Sequence, residues 1–242
     1  IVGSYSKNIF HFAVESGDAE VLRFLCEQLM PKYPLLRDLL LCQNISPLEV
    51  ACSSGNYPAV KYLLQHKFYI PERNEKVLFA AVESKYLDIV QLILQTLFPL
   101  NIRASCTLKH HPISLLHMLA KWCEDVSFIS SEIIQRRGFD VHDMRDDKTP
   151  LFEALYHNNV PLAKFFLSEH LPTDPNHTKF LLHAVAVGGN ASLARLLVKN
   201  ISNISENISR LFHSPLGYVT PLHLASCSQS TELIRYFVRM LS

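Results

Sequence analysis

An all-α solenoid of stacked helix-turn-helix units with hairpin-like finger loops is the fold class the sequence predicts, on three observations. A helix-starting motif recurs along the chain, an apolar second helix follows most copies, and successive copies lie 30 to 40 residues apart. A helix pair at that period marks a repeat array, because one unit cannot bury its apolar face alone and must stack on its neighbours.

The motif is clearest at Thr220-Pro221-Leu222-His223-Leu224-Ala225. Proline suits the first helical turn, where its missing N–H would have no intrahelical partner, and the preceding threonine can cap an orphaned backbone donor. Thr149 to Ala154 repeats the pattern, and Ser46 to Ala51 does so with serine as the cap. Looser copies run from Asn8 to Ala13, Lys76 to Ala81, Ser114 to Leu119 and Phe180 to Val185. Their last residues fall near 13, 51, 81, 119, 154, 185 and 225, which predicts seven repeats in a single array over residues 1–242.

The second helices begin after a turn: Val21 to Leu25, Val60 to Leu64, Ile89 to Leu94, Leu162 to Leu167, Leu193 to Val198 and Leu233 to Val238. Five of these runs hold a single charge, namely Arg23, Lys61, Lys164, Arg195 and Arg235, which the helical period places toward solvent. The fourth unit is irregular, because residues 124–138 interrupt the pattern after Trp122 and Cys123, and its second helix is the least regular element.

On these residues the chain resembles the ankyrin-repeat family, whose repeat of about 33 residues carries the same Thr-Pro-Leu-His-x-Ala motif. The resemblance covers nearly the whole chain. It implies that the motif histidines His11, His117, His183 and His223 tie adjacent repeats together through hydrogen bonds, which is the reading to prefer over catalysis. It also implies a left-handed residue after each first helix. Gly17, Gly55 and Gly189 suit that position; Asn158 accepts it fairly easily, whereas Lys85, Cys123 and Gln229 do so at a cost of about 1 kcal/mol each.

Function classes narrow by what is missing. There is no phosphate-cradling glycine loop, no His-Glu-x-x-His and no Gly-x-Ser-x-Gly, so the reading is non-enzymatic and without a cofactor. A net charge of +1 with scattered basic residues gives nucleic acid no electrostatic footprint. Mean hydropathy of +0.11 fits helices that each bury a face, and no apolar run is long enough for a membrane span in this segment. Cys26, Cys42, Cys52, Cys106, Cys123 and Cys227 form no Cys-x-x-Cys pair and read as reduced, mostly buried thiols. His110, His111 and His117 lack the fixed spacing of a metal site.

Recognition of a protein, in another molecule or elsewhere in the same chain, is therefore the expected function. The resemblance implies that the two residues after each motif face the concave side. They are small or acidic in most repeats, but Lys121-Trp122 and Tyr156-His157 are not. Trp122 and Tyr156 make a candidate aromatic anchor edged by Lys121 and His157, since tryptophan and tyrosine are enriched at binding hot spots. The competing reading turns Trp122 inward to fill the irregular fourth repeat. Long segments at residues 31–44, 98–112 and 199–218 offer a second surface, with His110, His111, Lys148 and Tyr218 as its candidates.

The alternative is a cytosolic structural or gating segment of a larger membrane protein such as an ion channel. A start other than methionine and a stop just after the last helix predict a piece of a longer, cytoplasmic protein. Asn-x-Ser/Thr sequences at Asn44, Asn176, Asn190, Asn200, Asn203 and Asn207 speak for an extracellular setting, although local repetition over residues 200–209 explains three of them.

Overall fold

In four of the motifs a side chain or a proline satisfies the first turn of the helix, whereas the helices Asn74–Glu83 and Leu181–Gly188 start without a side-chain cap. The Asn8 side chain accepts from the backbone N–H of Phe10 at 3.0 Å, Ser46 from that of Glu49 at 3.2 Å, and Thr149 from that of Phe152 at 3.2 Å. Pro47, Pro150 and Pro221 occupy the first turns of their helices. The computed structural model describes residues 7–41, 45–98, 115–126, 140–178, 180–201, 204–214 and 217–241. The predicted second helix of the fourth repeat lies outside them.

Two compact units are formed, residues 1–102 and residues 103–242. In the first, α1 (Ile9–Glu15) and α2 (Ala19–Phe24), with its π-helical continuation Leu25–Leu29, make repeat 1. After α3 (Leu35–Leu40), repeat 2 is α4 (Pro47–Ser53) with α5 (Tyr57–Gln65), and repeat 3 is α6 (Asn74–Glu83) with α7 (Leu87–Leu97). The first helices pack in a row, α1 on α4 on α6, and the second helices in another, α2 on α5 on α7.

The second unit repeats this arrangement. Its elements are α8 (Leu115–Trp122), α9 (Pro150–Tyr156) with α10 (Val160–Glu169), the short α11 (Pro175–Thr178), and α12 (Leu181–Gly188) with α13 (Ala191–Asn200). After α14 (Ile204–Ser209) and an antiparallel hairpin of β1 (Phe212–Ser214) and β2 (Gly217–Val219) come α15 (Pro221–Cys227) and α16 (Thr231–Leu241). One row is α8, α9, α12 and α15; the other is α10, α13 and α16. Gly188 permits the closeness of α12 to α9, because a Cβ there would stand 2.3 Å from the Leu155 carbonyl oxygen.

The charges predicted on the second helices are all exposed, and the motif apolar residues form the cores. Three motif histidines bridge repeats as expected: Nε2 of His11 reaches the Ile45 carbonyl at 2.7 Å, His117 that of Lys148 at 2.9 Å, and His183 that of Arg210 at 2.9 Å. His223 does not: it is exposed, and its Nδ1 accepts from the Thr220 backbone N–H within its own repeat.

Gly17, Gly55, Lys85, Asn158, Gly189 and Gln229 all hold the left-handed conformation expected of them. Cys123 departs from the expectation. Its N–H donates to the Leu119 carbonyl at 2.8 Å, prolonging the helical hydrogen bonding, and its φ is not positive. The long segments also hold more structure than expected, since α3 lies in the first and α14 with the hairpin in the last.

Candidate functional site

The residues after each motif stay open to the surface. None of Glu15, Ser16, Ser53, Ser54, Glu83, Ser84, Lys121, Trp122, Tyr156, His157, Val187, Gly188, Cys227 and Ser228 is buried. The pairs that end α8 and start the turn after α9 carry the large side chains, and they are tied together by one residue absent from the sequence expectation, Glu153.

Glu153 sits on α9 with its side chain only 9% exposed, and such a carboxylate needs cationic or donor partners to offset the loss of water. Lys121 Nζ stands 3.9 Å from its Oε2 and His157 Nε2 3.4 Å from the same oxygen. Tyr156 is 41% exposed, stacks on Phe152 at a centroid distance of 5.9 Å, and meets the His157 ring edge-on at 5.1 Å. Lys148 Nζ lies 5.8 Å from the Phe152 ring centroid, within cation–π range.

Lys148 belongs to a tight finger. Its backbone exchanges two 2.9 Å hydrogen bonds with Arg145, and its carbonyl receives the His117 bond from α8. A strip from Lys148 through Phe152, Tyr156, His157 and Glu153 to Lys121 therefore joins a finger loop to two first helices. Five predicted residues have places here: Lys121, Tyr156, His157 and Lys148 in the strip, and Trp122, half-buried, at the end of α8. Tyr218 is 73% exposed on β2, opposite His213, in a different element. His110 and His111 lie outside the described residues.

A family model described as ankyrin repeats matches residues 10–104 in three copies. Residues 10–104 are thus similar to ankyrin repeats. The ankyrin repeat domain of human ASB11 superposes with a TM-score of 0.68 at 20% identity, over 96% of this chain and 97% of that one. The ankyrin repeat domain of Bcl-3, described as a unique member of the IkappaB protein family, gives a TM-score of 0.50 at 18% identity over 82% and 87%. Identities this low establish a shared fold. No curated protein matches the sequence significantly. Ankyrin repeats are generally protein-protein interaction modules, typically without enzymatic activity.

Two features of the array escaped sequence reasoning. Asparagines cap the second helices and reach back to the preceding repeat: Asn56 Nδ2 donates to the Val14 carbonyl at 2.8 Å, and Asn159 Nδ2 to those of Ala120 and Cys123 at 3.1 and 2.8 Å. Asn190 caps α13 in the same way and donates to Asn158 Oδ1 at 2.9 Å. The signal was an asparagine between the left-handed residue and the apolar run. The second feature is the pair of Glu49 and Arg73, where Glu49 fills the motif histidine position and takes Nε at 2.5 Å and a terminal nitrogen at 2.9 Å. An arginine 24 residues away, at the end of the 3-10 turn Pro71–Arg73, gave no periodic signal.

On α13 and α16 an open pocket of about 590 Å³ is lined by Arg195, Arg235, Arg239 and Tyr236 among others. Arg195 donates to Glu232 at 2.6 Å and lies 5.6 Å over the Tyr236 ring. Burial pushes the Cys26 and Cys123 thiols up to about 11, so both stay protonated and unreactive near neutrality. Among the described residues, no group of three or more His, Cys, Asp or Glu could hold a metal, and no helix is long and apolar enough to cross a membrane. Asn207, one of the Asn-x-Ser/Thr asparagines, is buried.

Proposed function

We propose that this chain is a non-enzymatic ankyrin module that docks a partner protein, or another part of its own polypeptide, on the strip between Lys148 and Lys121. The observation that carries the reading is the arrangement around Tyr156. A large aromatic ring is left 41% exposed while Phe152 and His157 hold it in place, so docking costs little side-chain entropy. Lys148 and Lys121 at the two ends and Glu153 between them supply charges that set register on a partner. A cytoplasmic setting is part of the same proposal, in keeping with the buried, unpaired thiols of Cys26, Cys52 and Cys123.

The test compares the full chain with Tyr156→Ala and Lys121→Glu as baits in a cell extract, with bound proteins quantified by mass spectrometry. Proteins lost on both variants but kept on a Tyr57→Ala control, whose change lies on α5 in the other unit, support the strip. Equal recovery on all four baits would move the binding surface elsewhere.

A further inference from the structure

The second helices turn one column of side chains outward, the fifth and ninth residues of each. The column holds Arg23 and Glu27 in repeat 1, Lys61 and Gln65 on α5, Gln91 and Gln95 on α7, and Lys164 and Ser168 on α10. None of these pairs combines two charges of one sign. The next two helices depart from the pattern, because α13 carries Arg195 and Lys199 and α16 carries Arg235 and Arg239. Like charges four residues apart on a helix are neighbours and repel, so each pair costs the helix stability instead of adding to it. Both pairs lie in one unit, on two helices that pack together.

Every residue of this column is exposed, including Arg195 and Lys199 on α13, which has α10 packed on one side and α16 on the other. Stacking leaves the column open inside the array, and the exposure of Arg235 and Arg239 matches that of their counterparts there. Between α13 and α16 the surface is hollowed into the pocket of about 590 Å³. Arg195 forms one wall of it, held 5.6 Å over the Tyr236 ring and donating to Glu232 at 2.6 Å. A carboxylate is thus the group that one of these guanidiniums takes. Glu232 is the single carboxylate in a lining that holds three arginines.

We propose that this pocket docks an acidic peptide segment of a partner protein, on a surface separate from the strip on α8 and α9. Charge complementarity is the argument. Guanidinium forks match carboxylates through paired N–H···O bonds, and an acidic segment relieves the repulsion between the basic pairs. Aspartate or glutamate side chains of the segment bind Arg235 and Arg239, while Arg195, fixed by Glu232 and Tyr236, is a preset wall. Glu232 repels a carboxylate placed beside it, which sets where along the pocket the acidic groups lie. An open hollow of this volume along two helices suits several side chains of a peptide better than one small anion.

Fluorescence anisotropy of a labelled oligoglutamate peptide, titrated with the full 242-residue chain at low salt, tests this. Saturable binding is expected, with none for the matching oligoglutamine peptide. Arg235→Ala with Arg239→Ala should weaken binding about tenfold, the loss of two charge-assisted contacts. Arg235→Ala alone leaves Arg239 in place and should weaken it about threefold, so the result does not hang on the folding of the double variant. Arg23→Ala with Lys61→Ala removes the same charge from the column in the other unit and should change nothing. Tyr156→Ala should also leave oligoglutamate binding intact, which keeps the fate of this pocket distinct from that of the strip. No binding by the wild-type chain overturns the proposal, and so does an equal loss in the Arg23 and Lys61 variant, which marks diffuse attraction. Tighter binding of an oligothymidylate of equal charge overturns it too, in favour of a nucleic-acid surface.

Discussion

The motif histidine joins two repeats through its Nε2 proton. In His11, Nδ1 accepts from the Asn8 backbone N–H at 2.9 Å, so the ring proton sits on Nε2 and is given to the Ile45 carbonyl. His183 is packed between the rings of Phe180 and Phe212, and burial lowers its pKa to about 4; burial lowers that of His117 as well. The unfolded chain then binds more protons than the folded one between about pH 6.5 and pH 4, so stability is full above that window and falls as the solution is acidified through it. Going from pH 7 to pH 5 should cost about 2 kcal/mol from His183 alone, read as a lower urea midpoint, and His183→Gln should remove that part of the slope. Glu49 occupies the same motif position with a different chemistry. Arg73→Ala strands its buried carboxylate and should cost about 3 kcal/mol in urea unfolding, with a smaller loss when Glu49→Gln is added. The histidines were legible because they recur in phase. Arg73 was not, since a single long-range partner leaves no period.

At the scale of the element, the helix starts were legible and the joints between helices were not. Proline, serine and threonine before an apolar run announce α4, α9 and α15 from local chemistry alone. The capping asparagines of α5 and α10 are local only in half of what they do, because their amide nitrogens serve carbonyls of the preceding repeat some 40 residues away. Asn159→Asp separates the two functions. It keeps an acceptor for the Leu162 N–H but loses both donors, so it should destabilise at least as much as Asn159→Ala, about 2 kcal/mol by denaturant titration. A purely capping role would make aspartate neutral. The turns before the second helices give the opposite sign: Lys85 at φ 64° and Gln229 at φ 59° stand where glycine fits, and Lys85→Gly or Gln229→Gly should raise stability by up to about 1 kcal/mol with an unchanged m-value. Segments between repeats were read as open loops because α3 and α14 are only six residues each and follow no repeat pattern.

For the whole molecule, periodicity made the array legible, while the same periodicity hid which surface it uses, since stacking residues recur and recognition residues need not. The strip on α8 and α9 emerged from the two residues after the motif, which drew attention to Lys121, Tyr156 and His157. Glu153, which joins them, looked like an ordinary interior motif residue. Neighbours on α9 now separate fold from function. Leu155 is fully buried, and Leu155→Ala should cost about 3 kcal/mol and lower the melting temperature by about 10 °C, followed by the emission of Trp122 in the same unit. Tyr156 is exposed, and Tyr156→Ala gives up its stack on Phe152 and little else, so the shift should stay within about 3 °C while partner capture falls. If Tyr156→Ala melted as early as Leu155→Ala, the ring would be a structural element of the fifth repeat, and docking on the strip would lose its anchor. A small shift together with lost capture assigns Tyr156 to recognition, because the measurement removes contact area from a partner without opening a cavity in the stack.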